Sequence, residues 1–300
     1  MTPRSLVAVL TAFLVLCTPA TAAAQDPPLV NWASLLPALS SSYEPSSADE
    51  CRSGSPRCLD AMVREMDRRL DRLADSCHHD AIFGLSYLRT TEAFRHAVFE
   101  PGFFDDPRFI THEGAVFAAL YFDAFDTWHS RSRDRTPRAW AIAFDAAQDR
   151  EVPAIGNLLL GMNAHISRDR PYVLASVGLT EPDGDSRKED NDEVNVFLNR
   201  VGNALVDEIA RRFDPSIDDT DLPGFIDELL TFQIVPMWRE VAWRHAERLV
   251  AASTPLERAA VVASIEQYAA EQANLIRRLT AYLPVVQSSA QRDAWCAAHG

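Results

Sequence analysis

Leu59-Asp60-Ala61-Met62-Val63-Arg64-Glu65-Met66-Asp67-Arg68-Arg69-Leu70-Asp71-Arg72-Leu73 reads as a helix from its spacing alone. Leu59, Met62, Val63, Met66, Leu70 and Leu73 recur at three- and four-residue steps, while Arg64, Asp67, Arg68 and Arg72 fill the opposite side. An α-helix turns once in about 3.6 residues, so this order gathers the apolar side chains into one stripe. The same periodicity returns over His79–Val98, Arg108–Ser130, Pro137–Arg150 and Pro153–Arg168. It continues over Pro171–Val177, Asn191–Phe213, Leu222–Leu230, Phe232–Ala252 and Pro255–Leu283, and a short helix is expected near Trp32–Leu39. Strand-like alternation is nearly absent. The expected fold class is all-α: a single compact multi-helix domain with disulfides.

Helix punctuation supports these boundaries. Thr254-Pro255-Leu256-Glu257 combines an N-cap, a first-turn proline and a capping-box glutamate. Asp190 with Glu193 carries the same signature. Pro236 removes a backbone donor and is expected to kink its helix. Pro171 disfavours helix at Arg170, placing Asp169 at a break.

The chain has 300 residues, 47% hydrophobic and 24% charged, enough to build a sizeable core. Arg4, the apolar run Leu6–Leu16 and Ala22-Ala23-Ala24 before Gln25 read as a cleaved signal peptide over 1–24. An N-terminal arm over 25–57 and a helical domain over 58–300 follow. No later run is apolar and long enough to cross a membrane, so the expected location is secreted or on the cell-envelope exterior. Removing the leader takes away Arg4, and the net charge of -14 becomes -15. Such acidity argues against a nucleic-acid patch and against anionic lipid surfaces, leaving a small-molecule or lipid substrate of unknown identity.

Cys51, Cys58, Cys77 and Cys296 remain after the leader. An even count in an exported chain reads as a disulfide framework with three possible connectivities. The polar loop between Cys51 and Cys58 favours pairing those two and leaves Cys77 with Cys296. Free buried thiols or a metal site are the alternative.

Three clusters carry candidate chemistry. In Leu158-Leu159-Leu160-Gly161-Met162-Asn163-Ala164-His165-Ile166-Ser167-Arg168-Asp169, His165 and Asp169 stand four apart, on one helical face. They can ligate one cation; alternatively Asp169 is a cap or ion-pair partner beside a hydrogen-bonded core histidine. Asn163 points elsewhere and is expected to bond a neighbouring backbone. Glu92 and His96 repeat the four-residue spacing, with a surface ion pair as the plainer reading. His112, Asp123 and Asp126 share a third face, where His112 and Asp123 stand about 16 Å apart along the axis and cannot share an ion.

Weaker candidates are Cys77-His78-His79-Asp80, which also suits a helix start, and Trp238-Arg239 with Trp243-Arg244, where packing and snorkelling arginines suffice. Glu-x-x-His, Gly-x-Ser-x-Gly and phosphate-loop motifs are absent.

Tyr87–Glu92, Tyr121–Trp128, Gly161–Asp169 and Ser186–Asn195 resemble an uncharacterised exported bacterial family, domain of unknown function 5995. The resemblance spans roughly 30 to 285 and implies a shared helical fold without an established activity. Leu160-Gly161 to Asp169 is also similar, more faintly, to the zinc-dependent phospholipase C and single-strand nuclease superfamily. That likeness implies a divalent metal, zinc foremost, activating water against a phosphoester. The superfamily's N-terminal tryptophan ligand and following histidine have no counterpart here, since Trp32 is internal and Tyr172–Val177 holds no histidine. A reduced site of one or two ions is what the likeness implies.

Two functions follow. One is a metal-dependent hydrolase, with His165, Asp169, His96 and His112 as ligands and Asp123 or Glu92 in catalysis. The other is a non-catalytic exported binding or envelope-associated protein.

Overall fold

Leu59, Met62, Met66, Leu70 and Leu73 are all buried on the first described helix, α1 (Pro56–Asp75), as its apolar stripe requires. Ser55 caps it and Pro56 starts it, the residue order that leaves the fewest orphan donors at a helix entrance. Arg69 lies on the same buried face because Asp126 and Glu65 meet its guanidinium at 2.6 and 2.7 Å.

The computed structural model describes residues 42–218, 234–282 and 287–300. The leader, the helix near Trp32–Leu39, the helix over Leu222–Leu230 and the start of Phe232–Ala252 lie outside the described residues. Among the described residues nine further α-helices follow α1: α2 (Ala81–Val98), α3 (Pro107–Trp128), α4 (Arg138–Gln148), α5 (Ala154–Asn163), α6 (Arg170–Val177), α7 (Lys188–Arg212), α8 (Ile234–Ala251), α9 (Pro255–Leu279) and α10 (Ser289–His299). No strand occurs among the described residues, where the nearest thing is an isolated bridge between Thr180 and Ser186. Nor is any described helix long and apolar enough to cross a membrane.

Both disulfides pair as expected, Cys51 with Cys58 and Cys77 with Cys296. The described part of the arm, from Ser42 onward, is packed against α3. Arg108 donates to the Ser53 and Pro45 carbonyls, and Tyr43 sets its ring edge-on to Phe109. Gly54 has a left-handed φ of 64° and lies so close to the Arg108 backbone that a Cβ there would sit 1.9 Å from its carbonyl oxygen. At the other end, α10 is held to the start of α2 by the Cys77–Cys296 bridge and by Arg292, which donates to the Cys77 carbonyl.

α9 begins with the expected capping box, Thr254 and Glu257 each accepting the other's backbone N–H. The box expected at Asp190 is not formed. α7 starts at Lys188, and Asp190 instead accepts the backbone N–H groups of Asp105 and Asp106 just before α3. A carboxylate serves whichever orphan donors the tertiary fold brings nearest. Pro236 stands in the first described turn of α8, so the kink expected there falls at the edge of the described residues.

The centre of the molecule is one continuous helical column, α5 through α6. The expected break before Pro171 is absent. Over Ala164–Asp169 the helix widens into a π turn, in which the Arg170 N–H reaches back five residues to the His165 carbonyl. Proline lacks the donor and crowds the carbonyl one turn back, and a wider turn accommodates both without stopping the helix. This turn packs against α3, α4, α8 and α9 and is buried throughout.

Candidate functional site

The π turn places His165 and Asp169 within hydrogen-bond distance deep in the core. His165 is 3% exposed and Asp169 0%. Asp169 accepts from Trp140 Nε1 at 2.8 Å, from Arg168 at 2.7 Å and from His165 Nδ1 at 3.1 Å. Arg168 is itself bonded to Glu266 on α9. A carboxylate only accepts, so Asp169 holds the proton on Nδ1 and leaves the lone pair on Nε2. Burial lowers the His165 pKa, against the upward pull of the Asp169 hydrogen bond and charge, so the ring is neutral near pH 7. It stacks on Phe117 at 3.5 Å between centroids and meets Tyr87 edge-on at 4.5 Å. Its Nε2 is buried and has no hydrogen-bond partner among the described residues.

His165 also lines a cavity of about 130 Å³. Its walls come from α1, α2, α3, the α5–α6 column, α7 and α8, and they are mostly apolar, with Phe83, Phe94, Phe197 and Leu205 among them. The charged side chains in the lining are Glu113, Arg170 and Arg239. Arg170 bonds Glu113 at 2.9 Å and the Asn191 side chain at 2.6 Å, while Arg239 donates to the Asn191 backbone carbonyl. Both arginines are 3% exposed, and the Nε of each is unpartnered. Burial, then the charge of Arg170, pushes the Arg239 pKa well below its ordinary value, with Glu113 pulling the other way.

Of the residues singled out from the sequence, the structure brings His165 and Asp169 together and scatters the rest. His112 is buried with Nδ1 2.9 Å from the Cys51 carbonyl, tying the arm to α3. His96 is exposed and shares a surface depression with Glu92, whose carboxylate pairs with Arg89 at 2.8 Å. Asp123 is exposed on α3, and Asp126 is the partner of Arg69. Asn163 bonds a backbone carbonyl, as expected, but that of Ala269 on α9.

Among the described residues, no three His, Cys, Asp or Glu are grouped to hold a metal ion. The donor set around Asp169 also does not fit a shared divalent ion. His165 Nδ1 and both Asp169 oxygens are occupied by protein hydrogen bonds, and the Arg168 guanidinium occupies the space where a cation would gain most.

Reading the sequence passed over Arg170 as a site residue and took Arg239 for a snorkelling side chain, whereas Arg239 is buried. A signal was there: Val235, Arg239, Ala242, Ala246 and Leu249 form an unbroken three- and four-residue stripe, as do Ile166, Arg170 and Val173. An arginine on an apolar stripe can bury its head as well as snorkel, and α8 shows both outcomes. Arg244 is exposed and pairs with Glu240 and Glu247, whereas Arg239 points inward.

Fold and site together define an all-α, disulfide-bonded protein with a helix-walled cavity and a buried His–Asp pair at its wall. Residues 59–279 match the Family of unknown function (DUF5995), and the chain belongs to that family. No curated protein and no solved structure matches the chain, and the likeness to zinc-dependent phospholipases gains no support from these comparisons.

Proposed function

We propose that this is an exported binding protein that takes a small, largely apolar molecule into the cavity and reads one hydrogen-bond donor on it through His165. The observation that carries the reading is His165 Nε2, a buried acceptor without a partner at the wall of an apolar cavity. A buried polar atom left unsatisfied costs about 1–3 kcal/mol, and a ligand donor removes that cost. Asp169, Arg168 and Trp140 keep the imidazole in one tautomer and one orientation, as recognition requires. Two disulfides suit an oxidising compartment and agree with the leader-like N-terminus. Among the described residues no group of three donors supports metal chemistry, and binding needs none.

Octan-1-ol is a suitable probe, with an apolar body and one O–H. Calorimetry is expected to show saturable one-to-one binding, with a rise in Tm that grows with ligand concentration. Val201 lines the cavity and is only partly buried, so Val201→Phe fills space without rebuilding the core. That variant should keep its circular dichroism and lose at least tenfold in affinity. His165→Phe removes the acceptor and should weaken octanol roughly three- to tenfold, the worth of one neutral hydrogen bond. Absence of saturable binding, or a Val201→Phe variant that binds equally well, sinks this reading.

A further inference from the structure

The cavity is apolar, yet it is not electrically neutral. Two guanidiniums, Arg170 and Arg239, face it against a single carboxylate, Glu113. The charges just outside the lining are shared: Arg168 pairs with both Asp169 and Glu266, and Lys188 with both Asp192 and Glu240. Asn191 is neutral and supplies only acceptor oxygens to the two arginines. Within the cavity lining, one positive charge is thus unmatched among the described residues, on side chains whose Nε atoms have no partner there.

Burying a charge without a counter-charge is strongly unfavourable, and arginine does not escape by losing its proton. Proteins resolve the imbalance with a pair; among the described residues of the lining the carboxylate is Glu113, while Asp192 acts on Arg239 through its charge but is bonded to Lys188. A ligand can supply the second anion. We infer that the cavity is built for a monoanionic amphiphile, a monocarboxylate with an apolar body, whose carboxylate sits between Arg170 and Arg239 while its body fills the space toward Phe94, Phe197 and Leu205. This deepens the binding proposal above and rests on it.

Single charge and shape both select the class. A monoanion brings the wall to neutrality, whereas a doubly charged phosphate overshoots and leaves a buried negative excess. Guanidinium offers its donors in a planar fork that matches a carboxylate. The strong net negative charge of the chain does not oppose this at contact distance, because salt screens it over about 10 Å. Arg239 is also poised to report on occupancy. The neighbouring charge that depresses its pKa is Arg170, and an anion between the two relieves that repulsion.

Octanoate, octan-1-ol and octylamine share a chain length and differ in charge, so calorimetry at pH 7.5 separates the ideas. Octanoate is expected to bind at least tenfold more tightly than octanol, and octylammonium not at all. Arg239→Met should bring octanoate affinity down to that of octanol, and Arg239→Lys, which keeps the charge without the fork, should fall between. Glu113→Gln removes the one competing carboxylate and should tighten octanoate further. Val201→Phe should weaken octanoate and octanol alike, which excludes adsorption elsewhere. If octanol binds and octanoate binds no better, the anion inference is overturned and the cavity reading stands. An octanoate preference that survives Arg239→Met also overturns it. If neither binds, both readings fall together.

Discussion

His79 and Asp80 are neighbours in sequence, both buried, and burial moves their pKa values in opposite directions. Asp80 is pushed up to about 8 by burial, so it keeps its proton in the native protein at neutral pH. Unfolded, it ionises near 3.9, so its contribution to stability is fully present below about pH 4 and is lost as pH rises through 8. His79 is pushed down to about 4, first by burial and then by Arg292, although Asp293 bonds it at 3.0 Å. Its unfolded value is near 6.5, so the native state refuses a proton that the unfolded chain accepts, and stability falls as pH drops from about 6.5 to 4. Between those limits the two slopes oppose. Asp80→Asn cannot ionise and removes one of them. Its stability relative to the parent protein should grow by on the order of 1 kcal/mol per pH unit between about pH 4 and 8. Urea unfolding at pH 5, 6.5 and 8 measures this, and a difference that stays constant with pH would show that Asp80 is ionised in the folded protein. The four-residue spacing of His165 and Asp169 was legible in the chain because it is local. That the pair bonds internally, on a histidine that also lines a cavity, was not.

The column α5–α6 depends on close packing as much as on helix propensity. Gly161 shows why. A Cβ at that position would lie 2.4 Å from the Phe83 ring, and Phe83 is itself enclosed by Tyr121, Trp140 and His165. The added carbon would also lie 2.8 Å from the Phe83 Cβ, which no ring rotation moves, so Gly161→Ala should cost about 1–3 kcal/mol despite alanine's better helix propensity. Gly84 on α2 is the contrast. A Cβ there meets Leu73 and Leu70 at 3.7 and 3.8 Å, ordinary contact distances. Gly84→Ala should therefore stabilise by roughly 0.5–1 kcal/mol. Thermal unfolding of the two variants should give shifts of opposite sign, and a loss at both would mean that close approach is not what distinguishes them. Helix positions came from periodicity and matched well where a stripe was present. α10 was not anticipated, since its buried side chains are Arg292 and Cys296 and it carries no apolar repeat. The π turn was read as a break because proline ends a helix in isolation, and only surrounding helices make the wider turn the better solution.

Across the fold, the two disulfides restrain very different lengths of chain. Cys51 and Cys58 are 7 residues apart, and Cys77 and Cys296 are 219 apart. In the chain-entropy account the short loop contributes about 2.5 kcal/mol and the long one about 5. Replacing Cys77 and Cys296 together by serine should thus lower unfolding free energy about twice as much as replacing Cys51 and Cys58, as read from urea unfolding. Equal losses would mean that residual structure in the unfolded chain, rather than loop length, sets the effect. The long bridge also closes α10 over the entrance to α2, where His79 meets Asp293.

From composition and periodicity alone, the chain announced an acidic all-helical body, most of its helix limits and its cysteine pairing. Apart from the Cys77–Cys296 bridge, expected only because those two cysteines were left over, these properties depend on neighbours within a turn or a short loop, and such neighbours are written next to one another. The cavity, the imbalance of Arg170 and Arg239 over Glu113, and the partner chosen by Asp190 depend on helices far apart in sequence. Whether a charge on an apolar stripe snorkels outward or stays buried is decided by what the opposing helix offers it, and that emerges only when the helices have met.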